Sequence, residues 1–499
     1  MLRPAVVAFA TSLGRMAEHQ GEEPSRPLPQ FAAAAVLPIA ALTALAHCGA
    51  ALLGRGYWFD EVYMLAIGRF HLDWGSTDQP PVTPALAALA DGLAPGAQLV
   101  LRAPAILATA AAVVLAGLIA RELGGGRGAQ ALTALAQATA LWPSLTGHWL
   151  TPYSLEPAQW LLLVWLLMRW VRTRRDRVLI AAGIVVGVAA MTKFQVVLLS
   201  LVMLASIAMF GPRAMLCRPA LWLGAVIAVF IAAPTVWWQH THGWPQLQMT
   251  EVVAGEAGAL YGGRPGIAVQ LILYAGVLGV VLMGYGAWRL LRDTTMRDYR
   301  FILATGVVLF VAFIALQGRP YYLAGLYAPF AAAGALGLQT RWARGPGRGR
   351  RWLHAACVVS VIAAVAMLVL SVQINRSDIG ERIARDTAQV FRGLPPAQRE
   401  HTALLGESYI VAAYLDGYAS QYGLPSAYSP NRSYGYFTPP PDTAETVLFI
   451  GKDPAALREY FTSEHTVGKV GDDMRIHLLT GRGQPWSVIW PRLRTLTVS

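Results

Sequence analysis

A succession of apolar runs, each close to the length of a membrane-crossing helix, constrains this chain more than any other feature. The runs fall near residues 32 to 53, 99 to 120, 128 to 147, 156 to 171, 178 to 192, 194 to 211, 219 to 238, 266 to 290, 301 to 317, 320 to 340 and 352 to 373. A helix needs about 20 apolar residues to cross the ~30 Å hydrocarbon core of a bilayer, and the shorter runs need tilt or a half-buried end. The spacing therefore predicts a mostly α, polytopic membrane bundle of about 11 spans. Composition agrees: 55% of the 499 residues are hydrophobic and only 14% are charged, where a soluble domain carries roughly 25%. A single water-soluble globule, a collagen, a coiled coil and a disordered chain are all excluded. Cys48, Cys217 and Cys357 lie in or beside apolar segments without paired spacing, so neither a disulfide framework nor a zinc site is implied.

The net charge of +12 is a topology signal and not a nucleic-acid footprint, because the basic residues occupy short gaps between apolar runs. Alternate gaps are arginine-rich: Arg121 and Arg127; Arg169 to Arg177; Arg213 and Arg218; Arg289 to Arg300; Arg341 to Arg351. The intervening gaps, although longer, offer Arg55, Arg69, Lys193, Arg264 and Arg319, an asymmetry of eighteen to five. The positive-inside rule then places the amino terminus in the cytoplasm. Residues 1–30 read as a cytoplasmic tail and not a signal peptide, since no small-residue cleavage site follows an apolar core. Residues 31–373 form the transmembrane region, with an outer loop at 54–98.

From residue 375 to 499 the composition turns polar, with Tyr, Pro and Ser and breaks such as Pro439-Pro440-Pro441. Strands are expected at Thr446 to Ile450 and around Met474 to Leu479. An odd number of spans puts this segment outside, as a small α/β extracytoplasmic domain. The chain is expected in the plasma (inner) membrane, contacting membrane lipids.

Acidic residues are scarce, and on the outer side they gather in the first loop, around Trp58-Phe59-Asp60-Glu61-Val62-Tyr63 and Asp73 to Asp78. A carboxylate held against apolar neighbours at head-group depth has its pKa raised and can act as a base. The alternative is that Asp60 caps a short interfacial helix while Glu61 is solvated. On the same side, a cation at membrane depth is costly without an anion, which singles out Lys193, Arg319 and Arg264; each could instead snorkel to lipid phosphate. His240 and His242 lack a third ligand by spacing and read as interfacial residues. His71 and His148 are candidate cavity linings.

Several segments, in order along the chain, resemble glycosyltransferase family 39, which includes protein O-mannosyltransferases and the aminoarabinose transferases of lipid A. They are Trp58 to Tyr63 with Asp78-Gln79-Pro80-Pro81; Tyr153-Ser154-Leu155-Glu156-Pro157; Met191-Thr192-Lys193-Phe194; Trp237 to Pro245; Gly318-Arg319-Pro320-Tyr321-Tyr322; and Gly406-Glu407 through Pro425. The resemblance implies a GT-C fold and transfer of a sugar from a polyprenyl-phosphate donor to a glycan, lipid or protein acceptor on the outer face, with inversion. It implies Asp60 as general base, with Glu61 as its catalytic partner or an orienter of the loop. Glu156, Lys193, Arg319, Tyr322, Asp78, Gln79 and His71 become candidate substrate-binding residues. Where many members carry Asp after Thr-Pro, Tyr153 follows Thr151-Pro152 here. The second acidic role, with a divalent metal ion, would then pass to Glu156; equally, Glu156 is a first-turn acid offsetting the helix dipole. A transporter or flippase of lipid-linked sugars is the alternative function. The spans, however, carry almost no ionisable residues of the relay type.

Overall fold

The structure, a computed structural model, describes residues 28–343 and 349–497. All but the last three residues of the expected cytoplasmic tail lie outside the described residues. Every apolar run corresponds to helix, but the runs are not uniform spans. Among the described residues six helices are long and apolar enough to cross a membrane, and a broken pair makes a seventh. The expected count of eleven is therefore not reached by length and hydropathy.

The shortfall has local causes. Arg177–Ala190 and Gln195–Phe210 have 14 and 16 residues, which at 1.5 Å per residue fall short of the hydrocarbon core. The run at 128 to 147 divides into Arg127–Ala138 and Leu141–Thr146. The run at 266 to 290 divides into Gly263–Leu273 and Gly276–Arg292, bent by 91°. These two breaks face each other. Gly276 has φ +74°, and a Cβ there would lie 2.7 Å from the Thr139 carbonyl oxygen, so only glycine fits. Across the same gap the Leu141 amide donates to the Tyr274 carbonyl at 2.8 Å, so both interruptions keep their backbone groups paired inside the bundle.

Elsewhere the helices approach closely. A Cβ on Gly183 would lie 2.1 Å from the Gly224 carbonyl oxygen, which brings Arg177–Ala190 and Pro219–Thr241 to backbone contact, as small residues permit in membrane bundles. Trp149, Trp160 and Trp170 are fully buried and fill the wider spaces.

Between the first two long helices, Ala33–Leu53 and Gln98–Glu122, the chain forms two short helices, Phe59–Phe70 and Val82–Leu93. Residues 61–68 of the first are all buried, because this helix is sandwiched between the bundle and the C-terminal domain. Val62, Tyr63 and Leu65 share one apolar cluster with Ile383, Ala412 and Leu415. Arg69 staples the junction: it holds Asp91 at 2.6 Å and donates to the carbonyls of Asp416 (3.2 Å) and Gly417 (2.8 Å).

The C-terminal segment opens with helix Ile379–Gly393 and builds a five-stranded sheet in the order β2-β1-β3-β5-β4. The strands are β1 Thr402–Gly406, β2 Ala427–Tyr428, β3 Thr446–Gly451, β4 Phe461–Val470 and β5 Met474–Arg482. β1 pairs in parallel with β2 and β3, whereas β3–β5 and β4–β5 are antiparallel. The expected α/β character and both expected strands are present. β1 and β4 escape the sequence pattern for opposite reasons: β1 is five residues buried on both faces, and β4 is a largely exposed edge rich in polar residues.

Candidate active site

A cavity of about 550 Å³ opens where the bundle meets the C-terminal domain. Its walls come from the Phe59–Phe70 helix, the start of Pro152–Thr173, the turn at Lys193, the Pro245–Tyr261 helix, the turn Pro320–Leu326, and Tyr409 and Arg432.

Asp60 lies in the first turn of its helix but does not cap it; the N-cap position is Trp58, which makes no side-chain cap. The Asp60 carboxylate faces the cavity instead and accepts a hydrogen bond from the Tyr153 hydroxyl at 3.2 Å. That hydroxyl in turn accepts from Trp58 Nε1 at 2.8 Å, and Trp58 is stacked on Trp149 at 4.6 Å. Burial pushes the Asp60 pKa up to about 6, with the Tyr153 hydrogen bond opposing and the nearby Asp78 charge assisting. A carboxylate poised there is ionised at neutral pH yet more basic than a solvated one.

Glu61, the next residue, points roughly 100° away around the helix and does not line the cavity. Arg102 grips it with two hydrogen bonds, at 2.9 and 2.7 Å. Both side chains are fully buried, and Arg102 also donates to the carbonyls of Ala51 and Gly56. Of the two places open to Glu61, the geometry leaves it the one that orients the loop, and the acids that line the cavity are Asp60, Asp78 and Glu256. The Asp60 shift follows from burial and not from a neighbouring Glu61 charge, which Arg102 neutralises.

Three cations reach the cavity. The Lys193 ammonium sits over the rings of Tyr322 (4.4 Å) and Tyr321 (4.9 Å) and 3.7 Å from Glu156. Burial lowers its pKa from the ordinary lysine value, with the Glu156 charge opposing. The Thr-Lys turn is tied down on both sides: Gln159 donates to Thr192 at 2.8 Å, and the Val82 amide donates to the Met191 carbonyl at 3.0 Å. Arg319 pairs with Glu256 at 2.5 Å. Arg432, from the C-terminal domain, pairs with the same Glu256 at 2.7 Å and lies 3.7 Å from Asp78.

The other sequence candidates separate. Asp78, Gln79 and Tyr322 line the cavity; Asp78 accepts hydrogen bonds from Tyr63 and Ser433, each at 3.0 Å. Glu156 is buried behind the wall with Lys193 as its partner. A divalent ion does not fit there: the neighbour is an ammonium that repels it, and no group of three His, Cys, Asp or Glu converges among the described residues. His71 is likewise outside the cavity. It stacks on Phe437 at 4.1 Å and meets the edge of Tyr434, so its ring packs the domain junction. His242 stacks on Trp238 at 3.9 Å, and Arg264 is exposed, donating to the Ala315 carbonyl.

Arg432, Glu256, Trp142, Tyr321 and Tyr409 line the cavity without having been singled out. Trp142 is sandwiched between Tyr321 (4.4 Å) and Tyr274 (5.3 Å), giving the cavity a floor of stacked rings at the paired helix breaks. Tyr153 stood out only as a departure from the family pattern; its hydroxyl is the hydrogen-bond donor on Asp60.

Residues 78–238 match the family model described as dolichyl-phosphate-mannose-protein mannosyltransferase. Across most of its length, the structure resembles ArnT from Cupriavidus metallidurans in the apo state, with a TM-score of 0.63 at 13% identity, covering 89% of this chain and 97% of that one. The same protein bound to undecaprenyl phosphate gives 0.63 at 15% identity, covering 90% and 98%. The chain has the GT-C fold. The oligosaccharyltransferase of Archaeoglobus fulgidus in its apo form is a more distant likeness, with a TM-score of 0.50 at 14% identity over 78% of this chain and 64% of that one. A comparison with curated proteins finds no match. The family resemblance seen in the loops is thus borne out, and the matched segment holds Asp78, Gln79, Glu156 and Lys193 of this GT-C chain, whereas Asp60 precedes it and Arg319 follows it.

Proposed function

We propose that this GT-C protein transfers a sugar from a polyprenyl-phosphate donor to an acceptor hydroxyl, with Asp60 as general base and inversion at the anomeric carbon. The observation that carries the reading is a cavity in which Asp60, a carboxylate without an ion-pair partner among the described residues, faces Lys193, Arg319 and Arg432. The relative bound to undecaprenyl phosphate supports a lipid phosphate as the anion those cations meet.

In the proposed step Asp60 takes the proton of the acceptor hydroxyl as its oxygen bonds to the anomeric carbon. The bond from that carbon to the phosphate oxygen breaks on the opposite face, and the electron pair leaves with the phosphate toward the cations. Tyr153 keeps the carboxylate aimed, and the aromatic floor excludes water. The cavity is built from the arginine-poor loops, which supports placing it on the outer face, with residues 31–373 as the membrane region and 375–499 outside. Metal enters no part of this scheme.

Purified protein in nanodiscs, given labelled polyprenyl-phosphate sugar, is the test. Release of polyprenyl phosphate by transfer or slow hydrolysis is expected. Binding and translocation without bond cleavage would overturn the enzyme reading in favour of a flippase.

A further inference from the structure

Glu256 makes a contact that the transfer chemistry does not use. From the Pro245–Tyr261 helix, its Oε2 accepts from Arg319 Nη2 at 2.5 Å and its Oε1 accepts from Arg432 Nη2 at 2.7 Å. One carboxylate thereby joins a bundle arginine to an arginine of the C-terminal domain. The match is incomplete: Arg319 Nη1 and Arg432 Nε are buried and have no hydrogen-bond partner among the described residues. A guanidinium presents five donors in a planar fork, and an unpaired buried donor is costly. Two forks sharing the Glu256 carboxylate, with Asp78 no nearer to Arg432 than 3.7 Å, leave capacity for an anion with more oxygens, which a phosphate supplies.

Arg432 is also held in place at a conformational cost. Its φ of +53° lies in the left-handed region that non-glycine residues avoid, and such strain concentrates at functional sites. The surroundings enforce it. The Arg432 amide donates to the Thr495 carbonyl at 3.0 Å. The Ser433 hydroxyl bonds Asp78 at 3.0 Å, and the Ser433 amide donates to the Tyr63 hydroxyl at 3.3 Å. The turn thus delivers one cation, 8% exposed, into a cavity to which the C-terminal domain otherwise brings the apolar and aromatic Tyr409 and Ile410.

We propose that Arg319 and Arg432 form an anion site spanning the two domains, and that Glu256 is its resident placeholder, displaced when a phosphate group binds. This rests on the cavity being the seat of a lipid-linked phosphate. It adds that an internal carboxylate, held by an arginine of each domain, competes for that seat.

The test measures binding of undecaprenyl phosphate to the full-length protein in nanodiscs, with inorganic phosphate as competitor. Glu256→Gln removes the competing charge and should tighten binding several-fold. Arg432→Gln should weaken it about tenfold, with Arg432→Lys partly restoring it, as expected for one charge-assisted contact. The gain in Glu256→Gln should extend to inorganic phosphate, whose competition should improve in parallel. Weaker binding in Glu256→Gln would make Glu256 a mere support for the arginines and overturn the proposal. A gain confined to the lipid would place its action on the chain and overturn it too. If Arg432→Gln fails to fold, the Glu256→Gln result decides alone. Wild-type protein that binds no undecaprenyl phosphate would sink the proposed function itself; wild-type binding left unchanged by both substitutions would sink this inference alone.

Discussion

Asp60→Asn separates chemistry from folding more cleanly than any other substitution. The side chain keeps its shape and still accepts a hydrogen bond from Tyr153, but it cannot take a proton. Burial raises the Asp60 pKa from 3.8 to about 6, so the folded protein holds that proton more tightly than the unfolded chain does. Stability from this group is complete below pH ~4 and is lost as pH rises through about 6; at pH 7 the ionised carboxylate costs the fold up to about 3 kcal/mol. The asparagine variant escapes that cost, so its thermal midpoint at pH 7 should equal or exceed that of the wild type. Its transfer rate should fall by about 10²–10⁴-fold, the usual contribution of a general base, or roughly 3–5 kcal/mol of barrier. In the wild type, kcat/KM should rise with pH and reach half its plateau near pH 6, where Asp60 ionises. The assay is release of labelled polyprenyl phosphate in nanodiscs between pH 5 and 8, with melting curves on the same samples. A variant that is at least as stable as the wild type and turns over at its rate would refute the assignment. So would a wild-type profile that is flat through pH 6.

Further substitutions test other parts of the structure. Arg102→Ala leaves Glu61 as a buried, unpaired charge and should cost about 3–5 kcal/mol of stability, whereas Glu61→Gln with Arg102→Met together should cost much less; a melting-curve comparison checks both. Lys193→Glu should raise the donor concentration needed for half-maximal transfer by tenfold or more, and unchanged donor dependence would remove Lys193 from the phosphate site. Ser433→Ala strands the Thr77 amide, which donates to Ser433 Oγ at 3.1 Å, and removes one donor to Asp78; a loss of about 1–3 kcal/mol is expected, read by denaturation. Orientation can be read in cells from cysteine substitutions, in a background lacking the three native cysteines. Asp472→Cys should react with a membrane-impermeant thiol reagent from outside and Arg175→Cys should not; the reverse pattern would invert the topology.

The membrane class and the helix positions were legible because apolar length and arginine spacing are properties of continuous sequence. The helix breaks were not, because Gly276 and Thr139 are ordinary residues until tertiary packing opposes them. Asp60 and Glu61 read as a pair since adjacency is all that sequence displays; only the phase of the helix, and an arginine 41 residues away, separates their fates. Lys193 and Arg319 were found because lone cations at membrane depth are conspicuous. Arg432 was hidden, being one arginine in a polar tail, brought to Asp78 across 354 positions of sequence. His71, read as a candidate cavity lining, lies at the domain junction instead, and nothing local reveals the phenylalanine it stacks on.

The two facing helix breaks restrict how this architecture can change. The amide of Leu141 is satisfied by the carbonyl of Tyr274, and the bend at Gly276 leaves room only for the backbone at Thr139. Straightening either helix by itself would orphan a polar group of the other within the bundle. The depth of the aromatic floor is therefore a joint property of two segments more than a hundred residues apart, resistant to single substitutions. Beyond the ion-paired Arg319, Glu256 and Arg432 and the hydrogen-bonded Trp58, Tyr153 and Asp60, apolar side chains that line the cavity above it, such as Val253 and Leu260, carry no such mutual dependence. A lineage built on this scaffold could alter what it accepts one residue at a time, while the depth at which a substrate is held would shift only when both breaks moved together.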